Sequence, residues 1–318
     1  MIRVRLSIAN GGDRGLVLVN ALVIVLAIAA VSAAMLTLAA QGRARLGVTL
    51  RLNQLVLYLD GIQTLIPILL QREWQKNGSD HLGEFWATQG YLVPIDRGSV
   101  TASLTDRQGL LDVNRLIAPD DLSKAEFVRL FAVLGLAPSK LDALTDFLSE
   151  NGPEQVAGYL NRPVALLPGG GRITLIEELR QIEGFDDAVV ARLLPFVSAL
   201  PELKPLNINT APHKVLQAVL ANRNSEDIAL LIRERQRAPF VSLSDFFVRA
   251  EQALGEGAMD GVSFDRFDVK SGYFSARLRA DLDGYSLSRV VLFHRQDKDE
   301  GATLAQFSYA VSSDGTTP

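Results

Sequence analysis

Residues 16–40 read LVLVNALVIVLAIAAVSAAMLTLAA, a run of 25 positions without a charge, a proline or a glycine. As a helix at 1.5 Å per residue it would be about 37 Å long, enough to cross a hydrocarbon core of about 30 Å with some tilt. A helix on the surface of a soluble core shows a charged face. This stretch has none, so it is read as a membrane span. Ala29, Ala30, Ser32, Ala33 and Ala34 give it a patch of small residues at which helices in lipid can pack closely. Arg3, Arg5 and Arg14 precede the span and Arg43, Arg45 and Arg51 follow it, so flanking charge does not orient it. The apolar run also exceeds the 7–15 residues of a secretory signal peptide.

Working outward, the helical pattern does not stop at the end of the span. Leu46, Leu50, Leu57, Ile62, Leu65, Leu69 and Trp74 mostly recur at three- and four-residue spacings, on one continuous rod that Pro67 is expected to kink or interrupt. NGSD (77–80) reads as a break and GEFWATQGYLVP (83–94) as a loop. Residues 99–116 alternate as a strand or hairpin. From Asp120 to about Ala253 the period is helical, most clearly over 123–136, 139–150, 174–182 and 187–200. Period two returns over 267–295, where Asp283-Gly284 between two strand-like runs signals a hairpin. From Asp299 the chain reads as a polar tail. A helical block between β segments predicts an α/β domain with a helical insertion, its flanking strands sharing one sheet.

The composition removes several classes of chemistry. The chain has 318 residues, enough for about two folded units, and 48% hydrophobic residues can build a core. A net charge of −4 argues against a protein that coats phosphate backbones. With no cysteine, neither a disulfide nor a thiolate nucleophile is available. His81, His213 and His294 are too scattered for a local HxxxH motif. The glycines 169–171 precede Arg172 and Ile173 rather than Lys and Ser/Thr, so they make a turn and no phosphate loop. Residues 281–284, DLDG, lack the glycine and glutamate spacing of a calcium loop.

A weak repeat relates residues 175–197 to 206–240. Each reads as helix, turn, helix; in the second, Asn209 or Thr210 would cap a helix with Pro212 early in it. The layout resembles helix-hairpin-helix modules that hold DNA phosphates through backbone amides. Such a hairpin needs glycine at the turn. Asn222-Arg223-Asn224-Ser225 offers none, and Gly184 is followed by Phe185, Asp186 and Asp187. Arg233, Arg235 and Arg237 read as a solvated helix end. A membrane-tethered DNA-binding or uptake protein is therefore the alternative reading, with nucleic acid not expected as a partner.

Taken in order, RGLVLVNALVIV (14–25), FWA (85–87), LTDRQGLLDVNRLI (104–117), LRQIEGF (179–185), LLPFVSALP (193–201), LNINTAP (206–212) and SGYF (271–274) resemble the minor pseudopilin K family of bacterial type II secretion systems. The resemblance implies an α/β (α+β) pilin-like domain with a long N-terminal transmembrane helix and an inserted all-α domain of helix-hairpin-helix or SAM-like type. It divides the chain into a prepilin leader (1–15), the transmembrane helix (16–40), stem helix and first strands (41–118), inserted helical domain (119–262), C-terminal β-hairpin (263–298) and polar tail (299–318). It implies cleavage by prepilin peptidase after Gly15 and methylation of the new amine at Leu16. Most pseudopilins carry Glu at the fifth mature position, paired with a neighbour's amine; K-type subunits lack it, and here the residue is Asn20. A carboxylate with no partner in the membrane would be costly there.

The same resemblance implies a structural tip subunit without enzymatic activity, taking part in protein export across the outer membrane. It would be a single-pass inner-membrane protein with its globular domain in the periplasm. Its implied partners are other minor pseudopilins forming a tip complex, prepilin peptidase and the inner-membrane assembly platform. Where many relatives carry a pair of cysteines this chain has Leu110 and Ser198. Relatives also bind calcium in the helical domain. Here only Asp146 and Glu150 remain, beside Ser149, Asn151, Gln155 and Val156, so no cofactor is expected beyond a weak calcium candidate.

Overall fold

The computed structural model describes residues 12–87, 90–221, 223–295 and 302–310. The chain divides into two compact units, residues 1–57 and 58–318. Most of the expected leader, residues 1–11, lies outside the described residues. Helix α1, Gly12–Asn77, is 66 residues long. In the first unit it is the apolar run, whose large side chains from Leu16 to Leu38 are 54–73% exposed.

In the second unit α1 passes through Pro67 without ending, so of the kink or interruption expected there the interruption does not occur. A proline removes one backbone donor, and the helix on both sides is held by Leu59, Ile66 and Leu70, all buried. Gly78, at φ 72°, takes the left-handed conformation that closes a helix C-terminus.

Strands β1 (Tyr91–Ile95) and β2 (Gly98–Asp106) start a five-stranded antiparallel sheet. The chain then leaves the sheet and returns on the neighbouring strand, β7 (Tyr273–Leu282), which pairs Asp106 with Phe274 and Ser103 with Arg277. Next come β8 (Tyr285–Arg295) and β9 (Ala302–Ala310), giving the order β1-β2-β7-β8-β9. Alternation decides the faces. Val100, Ala102, Leu104, Phe274, Ala276, Leu278, Val291 and Phe293 are buried on one face, while Ser103, Thr105, Ser275 and Arg277 point the other way. Arg289, on the buried face of β8, reaches α1 with Nη1 at 2.6 Å from Asp60 Oδ1 and 2.5 Å from Gln63 Oε1.

Two expectations fail at the sheet. The segment 83–94, read as a loop, holds a 3-10 turn, Phe85–Ala87, and β1. Residues 302–310, read as part of a polar tail, form the edge strand β9. Both elements are edges of the sheet, and edge strands owe their conformation to pairing more than to local pattern. The hairpin signal holds: Asp283 at φ 50° and Gly284 at φ 81° form the turn between β7 and β8, with the two positive values that a tight two-residue turn needs.

Between β2 and β7 lies the helical block. It contains α2 (Asp121–Val133), α3 (Pro138–Phe147), α4 (Ala157–Leu160), α5 (Asp187–Leu193), α6 (His213–Val219), α7 (Ser225–Arg237) and α8 (Leu243–Leu254). Residues 176–181 form a 3-10 helix instead of the expected α-helix, and the helix from 187 stops at Leu193. Asp120, Asp186, Asn224 and Ser242 cap their helices through side-chain oxygens. α6 begins after Pro212 with no side-chain cap, so neither Asn209 nor Thr210 plays that part. Two short parallel pairs stitch the block together. β3 (Leu111–Asp112) joins β4 (Val197–Ser198), and β5 (Leu206–Asn207) joins β6 (Phe267–Asp268).

Candidate functional site

The residues expected for anchoring lie together on the first stretch of α1. Gly15 falls inside that helix, and Leu16, Asn20, Ala29, Ala30, Ser32, Ala33 and Ala34 are all exposed along it. The protein itself covers none of the most apolar part of this helix, which is long and apolar enough to cross a membrane. Exposed aliphatic surface on this scale is stable only against lipid or other helices.

Three of the remaining motif fragments converge elsewhere, on one buried carboxylate. Asp106, at the end of β2, accepts hydrogen bonds from the Gln108 amide (2.8 Å), Asn207 Nδ2 (3.1 Å), Thr210 Oγ1 (2.5 Å) and Ser271 Oγ (2.6 Å). Asn207 Nδ2 also lies 3.1 Å from the Asp80 carbonyl oxygen and 2.8 Å from Ser271 Oγ. Asp80, just past the end of α1, accepts from the Ser271 amide at 2.7 Å and from Arg295 Nη2 at 2.5 Å. The Arg295 guanidinium is sandwiched by aromatic rings, 4.4 Å from Trp74 and 4.9 Å from Phe274. Gln108 donates to the Pro205 carbonyl at 3.2 Å and accepts the Gly272 amide at 2.6 Å. Gly109 is there for space: a Cβ would meet Thr210 Oγ1 at 2.5 Å.

Asn114 and Asn209 fasten the block in the same way. Asn114 accepts the Ile173 amide and donates to the Ile173 and Leu200 carbonyls, each at 3.0 Å. Asn209 clasps Phe240 by both its amide and its carbonyl at 2.9 Å. Burial pushes the carboxyl pKa of Asp106 up, while its four donors pull it back. Burial likewise lifts Asp80 to about 6 against the pull of Arg295, and Asp112 to about 6. The arrangement is a polar joint between the end of α1, the sheet and the helical block. It holds three pieces of chain together by buried hydrogen bonds, with Asp80 Oδ1 left without a partner among the described residues. Sequence reading found the fragments TDRQG, NINT and SG; their convergence is what it missed.

Comparison with known proteins follows the same fragments. Two family models, both described as type II secretion system protein K, match residues 106–202 and 206–270, segments that begin at Asp106 and at Leu206 beside the joint. The type II secretion system protein K of Pseudomonas aeruginosa is 30% identical over 74% of this chain and 76% of its own length. The chain belongs to the type II secretion system protein K family. The Klebsiella pneumoniae protein K is 30% identical over 63% of this chain and 67% of its own. In fold, the chain is similar to one from the GspK-GspI-GspJ complex of the enterotoxigenic Escherichia coli Type 2 Secretion System, with a TM-score of 0.70 over 84% of this chain at 20% identity. The chain is accordingly a pseudopilin, membrane-anchored, with a long apolar N-terminal helix and a globular part of mixed helix and sheet.

One expectation about the helical block changes. Arg235, read as a solvated end, turns inward and donates to the Ile208 and Ala211 carbonyls at 2.8 and 2.7 Å, while Arg237 pairs with Glu234. Nothing in the comparisons supports the DNA-binding alternative. Asp146 already accepts the Glu154 amide at 3.2 Å, and the loop closes on the Ser149 carbonyl through the Gly152 and Gly171 amides. Calcium takes six to eight oxygens with several carboxylates. Among the described residues no group of three or more His, Asp or Glu side chains gathers for a metal.

Proposed function

We propose that this chain is a structural minor pseudopilin at the tip of a type II secretion pseudopilus, working by assembly and not by catalysis. The observation that carries this is the wholly exposed apolar stretch of α1, on a chain of the K family three of whose other motifs meet in a structural joint. The reading places residues 16–40 across the inner membrane and the globular part in the periplasm. It treats the sheet as a pilin-like domain and residues 119–262 as its inserted helical domain. The solved Escherichia coli relative in complex with GspI and GspJ supports other minor pseudopilins as partners, and prepilin peptidase and the assembly platform complete the set.

Maturation tests the first step. Prepilin peptidase should cut after Gly15 and leave a methylated Leu16, and Gly15→Val should leave the precursor whole. Intact mass of protein from the native host showing the Met1 terminus would sink this step. Packing tests the second. Ala30→Leu with Ala33→Leu should lower co-purification with other minor pseudopilins at unchanged membrane insertion, because large side chains hold helices apart. Unchanged recovery would mean that another face of α1 makes the contact.

A further inference from the structure

The face of the sheet turned away from α1 is not a bare surface. Between it and the 3-10 helix at 176–181 lies a cavity of about 300 Å³. The register of β2, β7 and β8 lines up its floor: Ser103 is opposite Arg277, Thr105 opposite Ser275, and Val290 and Leu292 follow on β8. Arg107, one residue beyond β2, lines the same cavity, with Nη2 3.3 Å from the Val197 carbonyl oxygen. Among the described residues neither Arg107 nor Arg277 makes an ion pair. Burial lowers the Arg107 pKa, as does the nearby Arg277, while Glu177 and Asp106 pull it back up. Leu175, Ile176 and Leu194 form an aliphatic wall beside these cations, and the exposed Glu177 stands at the cavity as its acidic group.

Two guanidinium groups and several hydroxyls next to an aliphatic wall, in one concavity, ask for a ligand that offers a carboxylate and an apolar side chain from a single carbon. The last residue of a polypeptide does so, and 300 Å³ is room for one or two residues. We propose that this cavity captures the C-terminus of a partner polypeptide, its carboxylate between Arg107 and Arg277 and its terminal side chain against Leu175, Ile176 and Leu194. Arginine suits the part because its planar fork binds carboxylate through paired hydrogen bonds. The inference goes beyond the anchoring role and does not depend on processing at Gly15.

The full chain in detergent, titrated calorimetrically with N-acetyl-Ala-Leu as free acid and as amide, tests it. The acid should bind saturably and the amide at least tenfold more weakly. Arg277→Met should weaken the acid about tenfold, and Glu177→Gln should tighten it by removing the repelling charge. Both residues are exposed, so both variants should melt like the parent. Should Arg277→Met misfold, the opposite sign expected of Glu177→Gln still decides. Equal binding of acid and amide, no saturation, or no effect of Glu177→Gln overturns the proposal. So does displacement of the acid by inorganic phosphate at equal concentration, which would mark a plain anion site.

Discussion

Asp106 has four donors and is buried, so deleting its carboxylate takes the acceptor from the Gln108 amide, Thr210 and Ser271 at once, while Asn207 keeps the Asp80 carbonyl. Each buried donor left without an acceptor costs about 1–3 kcal/mol. Asp106→Ala should therefore lose more than about 3 kcal/mol in urea unfolding, and a loss below about 1 kcal/mol would show the joint to be incidental. Asp112 predicts a pH dependence of known sign. Its Oδ1 accepts the Asn114 and Leu200 amides, whereas its buried Oδ2 has no hydrogen-bond partner among the described residues. With a folded pKa of about 6 against 3.8, the native carboxyl keeps its proton where the unfolded chain has released it. The stability this proton brings is complete below pH ~4 and is lost as pH rises through ~6, about 3 kcal/mol at ~1.4 kcal/mol per unit. Asp112→Asn, which cannot titrate, should gain on the parent between pH 4 and 7; parallel pH profiles would contradict the assignment. At this scale the sequence shows which polar residues are unusual but not that they meet, because Asp106 and Ser271 are neighbours only after folding.

Among the elements, those set by local chemistry were legible and those set by pairing were not. The uncharged run of α1 and the Asp283-Gly284 turn could be read directly, since each follows from residues within a few positions of one another. Edge strands β1 and β9 could not, because Pro94 and the polar residues of 302–310 speak against a strand until β2 and β8 are in place. At Pro67 the helix runs on rather than ending: burial around Ile66 and Leu70 outweighs one missing hydrogen bond. The β7–β8 turn gives the sharpest test at this scale. A branched side chain at φ 81° is strained, so Gly284→Val should cost about 1–2 kcal/mol and lower the melting temperature. An unchanged melt would mean that the hairpin is held by its neighbours alone.

For the whole chain, cleavage after Gly15 would remove three arginines and one aspartate and take the formal net charge from −4 to −6. An isoelectric shift toward acid on exposure to prepilin peptidase, absent in Gly15→Val, would report that step without mass analysis. The anchor and the family were readable at this scale because an apolar run and ordered fragments survive as linear text. The cavity beside Arg107 was not, being assembled from β2, β7, β8 and a 3-10 turn. Strand β2 is complete once Asp106 has been synthesised, yet its partner Phe274 lies 168 residues later. Closing so long a loop is entropically costly and non-local pairing is slow, so a preformed helical block that draws Asp106 towards Ser271 would shorten the search. Until then β2 has an open edge able to pair with another chain, and a translocation intermediate stalled before residue 274 is where misassembly of this protein should concentrate.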